Sequence, residues 1–434
     1  MARPAASHIF KALTTLLPRQ RIRQLARELG VVQRRRKLDI VALVYSLALG
    51  FSVGDHRSLS GLRRAYLRAT GTRLAPSSFH ARFSAGMVKL VRALALDALA
   101  TLARERPRLK GTFAPFIEVL AVDSALLRLH NALQSFYPSV WTHYMKASAK
   151  LTIVMNVVAR GANTVRIAHG SRHDKHMLQA GPWMKGRLLL FDLGFYRVQL
   201  FLQIQRHGGY FLSRTRKHAN PTIVRCHRAE QRHLVGMKLA DALPLLGTDT
   251  LDVEAEMGFQ QHHRRAPRVT SHRATFRFVA IYNHAHQRWH RYVTNLPTSM
   301  MNAEHFAAVY AARWEVELLF RELKGNYRIE HMPSASKHLT ETLIYAALLS
   351  LAISRRIYRT LAVRPLERFN MTLDRFALLF ATIAHDLLDV LLCRRDRAHR
   401  LRRIERFLRA EAVDPNRSRI PLPWRAQLGL LNPH

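Results

Sequence analysis

Two aspartates each follow a short apolar run, and this setting places them to do chemistry together. Asp123 comes directly after residues 119–122, and Asp192 comes directly after residues 188–191. Such runs are typical of buried strands, and ligands of α/β sheets bind at the carboxyl ends of the strands. Taken singly, an aspartate in this position is more often a turn former or a helix cap. Two of them in one sheet can converge, and a third carboxylate would complete a metal site.

The third carboxylate is predicted on a helix that spans residues 310–324. Tyr310 is followed by Arg313, Glu317 and Lys324 at offsets of three, seven and fourteen residues. At about 100° per residue, a helix brings these four side chains within roughly one-sixth of its circumference. They form one polar stripe, in which Glu317 is the candidate ligand. The simpler alternative is a solvated helix face with an ordinary ion pair between Arg313 and Glu317.

The opposite side of this helix is apolar and is predicted to pack on the sheet. It carries Ala312, Val316, Leu319, Phe320 and Leu323. Two further glutamates of the helix, Glu315 and Glu322, point away from the polar stripe. This geometry selects Glu317 among the three glutamates.

The signature Tyr-x2-Arg-x3-Glu-x6-Lys at residues 310–324, together with Asp123 and Asp192, resembles the DDE transposases of bacterial insertion sequences, specifically insertion sequence family four. The resemblance covers residues 117–324. It implies an α/β fold with a ribonuclease H-like mixed sheet core, a β-rich insertion between Asp192 and Glu317, and helical N- and C-terminal regions. The chain departs from the family pattern at Ala125, where a threonine often follows Asp-Ser.

The resemblance also implies the chemistry and the role of each residue. Asp123 would bridge two Mg²⁺ or Mn²⁺ ions, with Asp192 and Glu317 as the outer ligands. Two such ions can activate an attacking oxygen and stabilise a leaving one, and Mg²⁺ needs few protein oxygens. Water would attack first and free a 3′-hydroxyl at the transposon end, and that hydroxyl would then attack target DNA.

DNA contacts are expected from the same stretch of chain. Arg313 and Lys324 are predicted to clamp phosphates, and Tyr310 to donate a hydrogen bond to the DNA backbone. Trp314 is expected to support an unpaired base near the cleaved end, although a core tryptophan is an equal alternative. The expected partners are double-stranded DNA, both transposon ends and target, and a second copy of the chain when DNA is bound.

The composition points to the same partner. Lysine and arginine number 69 against 29 acidic residues, and the net charge is +40. A polyanion such as nucleic acid is the expected partner for so basic a folded chain. The apolar runs 40–51 and 343–353 are shorter than the roughly 20 residues of a membrane span. The two cysteines, Cys226 and Cys393, give neither a disulfide framework nor a zinc site, which favours the cytoplasm.

Five regions are predicted along the chain. Residues 1–110 form a helical DNA-binding region for transposon ends, and 111–216 form the first part of the catalytic core. Residues 217–297 form the β-rich insertion, 298–335 the catalytic helix, and 336–434 a helical region for dimerisation and DNA contact. The core strands are expected at 117–122, 151–158, 164–168, 187–191 and 210–214, in the order β-β-β-α-β-α-β.

Within the first region, residues 59–70, Gly71 and a second helix near Ser77 and Ser78 have the layout of a helix-turn-helix. An ordinary helical hairpin gives the same pattern.

Two other functional classes stay open at this point. A non-catalytic DNA-binding protein descended from a transposase would have lost its acidic residues, whereas all three are present. A ribonuclease H-like nuclease would cut DNA without joining it, and a strand-transfer assay separates that activity from transposition.

Overall fold

The computed structural model shows a mixed α/β protein with helices at both ends and one nine-stranded sheet between them. It describes residues 5–32, 38–50, 58–104, 108–140, 143, 145–216, 218–262, 269–330, 332, 334–362, 372–393, 395–411 and 428. None of the helices in these ranges is long and apolar enough to cross a membrane.

Six helices precede the sheet in the described part of the chain. They are α1 (Ala5–Leu16), α2 (Arg19–Glu28), α3 (Ile40–Gly50), α4 (Leu59–Thr70), α5 (Pro76–His80) and α6 (Ala85–Arg104). Every residue of α3 is buried, which explains its uninterrupted apolar sequence. The helical prediction for this region is therefore confirmed over the described residues.

The helix-turn-helix layout predicted inside this region is not found. α4 ends as expected, with Gly71 in the left-handed conformation at φ 69°. The next helix, α5, has only five residues because Pro76 starts it and a turn ends it at His80. Ser77 and Ser78 lie inside this short helix and are not its caps. It buries Phe79 against α4 and is too short to serve as the recognition helix of such a motif.

Five strands form the first part of the sheet. They are β1 (Glu118–Arg128), β2 (Ser148–Asn156), β3 (Gly161–His169), β4 (Arg187–Phe191) and β5 (Tyr210–Arg214), in the spatial order β3-β2-β1-β4-β5. β1, β2 and β3 are antiparallel neighbours, whereas β1, β4 and β5 run parallel. Helix α7 (Val198–Arg206) connects β4 to β5.

Two details of this core differ from the prediction. The helix expected between β3 and β4 is absent from the described residues, where only the 3₁₀ turns Asp174–His176 and Pro182–Met184 are found. β1 also does not end at Val122, because it stays paired with β2 as far as Arg128. Its pairing with β4 does end there, opposite Phe191. Asp123 is therefore the first residue of β1 beyond the end of β4.

The insertion extends the same sheet. It contains β6 (Thr222–Cys226), α8 (Leu239–Ala242), β7 (Thr250–His262), β8 (Val269–Asn283) and β9 (Arg288–Thr294). β9 pairs with β5, and the order continues β5-β9-β8-β7-β6. The last strand of the insertion, β9, is thus the one that joins it to the core.

Five helices follow the sheet among the residues that the structure describes. They are α9 (Phe306–Ala311), α10 (Trp314–Gly325), α11 (Lys337–Ala362), α12 (Leu373–Leu392) and α13 (Arg397–Ala410). α11 packs against α6 and α1, α12 packs against α3, and α13 packs against α1. The N- and C-terminal helices therefore form one helical body.

Alternation along β1 sends its side chains into two separate cores. Val119 and Ala121 lie in the core shared with the helical body, and Leu120 and Val122 lie in the core shared with α7 and the insertion. By the same alternation Asp123 points to the face that is covered by α10, which packs on β1.

A buried ion pair fastens the insertion to the segment that leads into α9. Arg277 on β8 makes a two-pronged contact with Asp252 on β7, with N–O distances of 2.7 and 2.6 Å, and both side chains are buried. The same guanidinium donates to the carbonyls of Leu296 and Met301. The Arg277 side chain thus links the insertion to the segment before α9, which leads to the helix that carries Glu317.

Replacing Arg277 by methionine is expected to lower the free energy of unfolding by about 3–5 kcal/mol, because it leaves the Asp252 carboxylate buried without a partner. Arg273 is the matched control, since it pairs with Glu256 across the same two strands but is exposed. Its change to methionine should cost about 1 kcal/mol or less. Urea unfolding followed by tryptophan fluorescence measures both, and equal losses would contradict the role given to Arg277.

Candidate active site

The candidate site is an open cleft of about 660 Å³ between β1 and α10. Asp123 lies on the strand side and Glu317 on the helix side, as the sequence predicts. The cleft is lined by Asp123, Ser124, Ala125, Glu317, Phe320, Arg321, Lys324 and Gly325.

Asp192 stands beside this cleft, at the end of β4. The register between the parallel strands pairs Val122 with Phe191, so the two aspartates follow matched positions on neighbouring strands. Asp192 also precedes the 3₁₀ turn Leu193–Phe195. Its charge acts on Asp123, as does that of Glu317. The fold therefore brings the three predicted acids into electrostatic contact.

Burial raises the pKa of Asp123 to about 6. The backbone N–H of Ser124 and the Arg313 guanidinium act against this rise, whereas the negative charges of Asp192 and Glu317 add to it. A carboxyl held in this way takes up its charge close to neutral pH and would gain from a cation placed beside it.

Arg313 lies between the acids on the two walls of the cleft. Its Nη2 is 2.5 Å from Glu317 Oε1 and its Nη1 is 3.8 Å from Asp123 Oδ2. The side chain is 12% exposed. The ion pair between Arg313 and Glu317, which the alternative of a solvated helix face also predicts, is thus present. It lies within the candidate site and not on a solvated helix face.

The predicted continuous helix is interrupted at Arg313. α9 ends at Ala311, and α10 begins at Trp314 with Arg313 as its N-cap. Glu315 and Glu317 fall in the first turn of α10, where negative charge is favourable. The four residues of the signature therefore lie on two consecutive helices.

Tyr310 is buried, with 6% of its surface exposed. Its hydroxyl donates to the carbonyl oxygen of Phe191, the residue before Asp192, over 3.2 Å. The guanidinium carbons of Arg214 and Arg313 lie 5.3 and 5.7 Å from the centre of its ring. A contact between this hydroxyl and DNA would require it to leave its bond to Phe191.

The other two predicted DNA contacts are accessible. Lys324 is about one-third exposed, and its Nζ lies 2.6 Å from Glu330 Oε1 and 3.4 Å from the carbonyl oxygen of Leu126. Trp314 is 49% exposed at the start of α10. The alternative of a core tryptophan is therefore wrong.

The back of α10 is apolar and buried, as predicted: Ala312, Val316, Leu319, Phe320 and Leu323. Glu315 and Glu322 are also buried and point away from the cleft. Glu315 pairs with Arg160 at 3.0 Å, and Glu322 pairs with Arg355 of α11. These two pairs fix the rotation of the helix that presents Glu317.

Arg214 is a cation of this site that the sequence analysis missed. It ends β5, next to the strand that leads to Asp192, because Ser213 pairs with Phe191. Its guanidinium covers the Tyr310 ring. The sequence feature that could have identified Arg214 is its place at the end of a short predicted strand. In a chain with 69 lysines and arginines, this feature does not distinguish it from other basic residues.

A family model described as "Transposase DDE domain" matches residues 114–353, which is more than half of the chain. The chain belongs to the DDE transposase family. The match begins just before β1 and ends within α11, so it contains Asp123, Asp192 and Glu317. The sequence-based resemblance to DDE transposases of insertion sequences is confirmed.

The transposase is similar over most of its length to curated relatives. It is 20% identical over 410 residues to the transposase for insertion sequence element IS231B of Bacillus thuringiensis subsp. berliner, with 85% of each chain covered. It is 18% identical over 387 residues to the transposase for insertion sequence element IS1151 of Clostridium perfringens, with 81% of each covered.

Among solved structures, the transposase is similar to the piggyBac transposase in a synaptic complex with hairpin DNA. The two are 9% identical, the TM-score is 0.45, and the match covers 97% of this chain and 84% of the other. A superposition at that score does not define a shared function.

The donor chemistry of the site suits a hard divalent cation, since two carboxylates line the cleft and a third, Asp192, lies beside it. Their positions do not yet form a binding set. Among the residues that the structure describes, no three His, Cys, Asp or Glu side chains are arranged to hold one ion together. The Arg313 guanidinium lies between Asp123 and Glu317 instead. The residue types therefore fit a divalent metal, whereas their described positions do not hold one together.

The raised pKa of Asp123 predicts that the transposase is more stable when this residue is asparagine. Because the folded-state pKa lies near 6 and the unfolded one near 3.8, the folded protein binds more protons between those values, and stability is lost as the pH rises through this window. At pH 7.5 without metal, Asp123→Asn should gain about 1–2 kcal/mol, discounted for partial exposure, and the gain should vanish below about pH 4. Thermal unfolding in EDTA measures it, and a destabilised variant at pH 7.5 would refute the assignment.

Proposed function

We propose that this transposase moves an insertion sequence by a cut-and-paste route: metal-dependent hydrolysis at the transposon ends, followed by transfer of the 3′-hydroxyl strand into target DNA. The observation that carries the proposal is that the charges of Asp192, at the end of β4, and Glu317, on α10, both act on Asp123 of β1. Three basic side chains, Arg214, Arg313 and Lys324, belong to the same region. The site of action would be chromosomal DNA in the bacterial cytoplasm.

The strand order supports a ribonuclease H-like core. Three antiparallel strands, β1 to β3, are followed by β4 and β5 parallel to β1, and the order is β3-β2-β1-β4-β5. In this arrangement the ends of β1 and β4 lie side by side, where ligands of α/β sheets bind. The insertion and the helical body are then additions around a catalytic core formed by 111–216 and 298–335.

Asp123, Asp192 and Glu317 would hold two Mg²⁺ or Mn²⁺ ions. When bound, such a pair stabilises charge on the attacking and leaving oxygens of the phosphate. By the family resemblance, Asp123 would be the ligand common to both ions, and the charges of both other acids act on it. Tyr310 would position Asp192 through its bond to Phe191, and the two buried pairs behind α10 would position Glu317.

The basic side chains around the acids would bind DNA phosphates. Lys324 is accessible at the mouth of the cleft, and Arg214 lies behind Tyr310 on the Asp192 side. Arginine and lysine bound to phosphates position DNA without reading its sequence. Trp314, which is exposed beside Arg313, would stack on an unpaired base at the cleaved end.

The helical regions 1–110 and 336–434 would recognise the transposon ends and support a homodimer on DNA. Their described helices pack together into one body, so end recognition and dimerisation would share a single structural unit. The net charge of +40 supports contacts with long stretches of DNA backbone.

Replacing Glu317 by glutamine should abolish cutting of a transposon-end duplex, because it removes one proposed metal ligand at constant shape. The loss should exceed the roughly 100-fold effect of losing an outer-shell partner. Glu304→Gln is the control, since Glu304 is an exposed acid paired with Arg228 outside the cleft. Full cutting by the Glu317 variant would disprove the site.

The wild-type protein should also yield joined products when labelled pre-cut ends are mixed with a target plasmid. A ribonuclease H-like nuclease would produce cut ends alone, so cutting without any joined product would favour that second function.

Phosphate contacts predict how salt affects binding. The affinity for an end duplex should fall steeply with ionic strength, and Lys324→Gln and Arg214→Gln should each reduce the slope of log affinity against log salt by about one. Fluorescence anisotropy across a salt series measures the slope. An unchanged slope in either variant would remove that residue from the set of phosphate contacts.

A further inference from the structure

The guanidinium of Arg313 lies beside the carboxylates that would hold the metal ions in the proposed function. It contacts Glu317 at 2.5 Å and approaches Asp123 to 3.8 Å, and the charge of Asp192 also acts on it. One basic side chain therefore interacts with all three proposed metal ligands at once. A divalent ion and this guanidinium would compete for the carboxylate oxygens, because two cations repel each other at close range.

We propose that Arg313 closes the metal site until DNA arrives, so that DNA binding and metal binding are coupled through this one side chain. The inference rests on the proposed function, in which the three acids hold the metal. The inference specifies the order of the two binding events. Without DNA, Arg313 neutralises the acids, and when a phosphate enters the cleft, Arg313 turns to the phosphate and leaves the acids free to bind metal.

The closed position is stabilised by charge. Partly buried carboxylates that repel one another are costly unless a cation neutralises them, and Arg313 is itself 88% removed from solvent in this position, being 12% exposed. Removing the guanidinium would therefore leave the acids in need of another cation.

The closed position also leaves Arg313 with unused hydrogen-bonding capacity. Its Nε is buried and has no acceptor among the described residues. A phosphate offers a guanidinium two parallel charge-assisted hydrogen bonds, which is the geometry that arginine forms best. DNA in the cleft is thus a competing partner of suitable strength.

The position of Arg313 in the chain suits such a change. It is the N-cap of α10, at the junction where α9 ends. Glu317, its closest partner, is about one-third exposed, so the pair lies toward the open side of the cleft. Rotation about the side-chain bonds would move the guanidinium without moving α10, which the pairs Glu315–Arg160 and Glu322–Arg355 hold in place.

The test is direct Mn²⁺ binding, followed through the electron paramagnetic resonance signal of free Mn²⁺. The full chain is titrated with and without a pre-cut end duplex whose 3′ end is a dideoxynucleotide, so that no chemistry occurs, and the duplex alone is the blank. For the wild type, DNA should tighten Mn²⁺ binding by about tenfold, within the range of typical coupling between sites. For Arg313→Gln, binding without DNA should already be about tenfold tighter, and DNA should change it by less than about twofold.

Arg288→Gln is the matched control. Arg288 is an exposed arginine at the start of β9, outside the cleft, and its removal changes the net charge by the same amount. Its Mn²⁺ affinity should stay within about twofold of the wild type, with the coupling to DNA intact. An equal gain in both variants would show a general effect of charge and would overturn the proposal.

The wild type alone gives a second test that does not depend on a variant folding. Coupling is reciprocal, so Mn²⁺ should tighten the binding of the dideoxy duplex by the same factor, about tenfold, in fluorescence anisotropy. Independence of the two ligands in the wild type would overturn the proposal.

Asp123→Asn separates this inference from the proposed function. If it binds Mn²⁺ on DNA as tightly as the wild type, the acids do not hold the metal and the proposed function fails. If it binds weakly while Arg313→Gln behaves as the wild type, only the role of Arg313 fails.

Discussion

The burial of Asp123 close to two further acids is the constraint on which the rest of this structure depends. Burial raises the pKa of Asp123, and repulsion from the charges of Asp192 and Glu317 adds a smaller contribution. A buried carboxylate of this kind opposes folding unless positive charge compensates it. Arg313 supplies positive charge from within the cleft, at 2.5 Å from Glu317 and 3.8 Å from Asp123.

The scaffold holds the acids together against this repulsion by rigid means. Asp123 and Asp192 extend from matched positions on two parallel strands, whose hydrogen bonds fix their separation. Glu317 sits on α10, whose rotation is fixed by an apolar back and by the buried pairs of Glu315 and Glu322 with arginines. Both glutamates are buried, and Arg355 is buried as well whereas Arg160 is 28% exposed, so removing Arg355 would be strongly destabilising. The position of Glu317 in the cleft therefore depends on Glu315 and Glu322, two acids that point away from the cleft.

The acids of the site could be predicted because each has a local signature. Apolar runs mark the ends of the pairing between β1 and β4, and helical spacing separates Glu317 from Glu315 and Glu322. What failed had both distant and local causes. β1 continues past Asp123 because β2 remains paired with it, whereas α5 is short for a local reason, a proline at its start and a turn at its end. Arg214 became visible as part of the site only once the register of β5 placed it beside Asp192.

The central claim is that residues far apart in sequence share one metal site, and iron-directed cleavage of the backbone tests it most directly. Fe²⁺ bound in place of Mg²⁺ generates hydroxyl radicals that cut the nearest peptide bonds in the presence of ascorbate and peroxide. In the DNA-bound transposase, the account predicts cuts clustered near residues 123, 192 and 317 that excess Mg²⁺ suppresses. Cuts at only one of these positions, or at none of them, would contradict it.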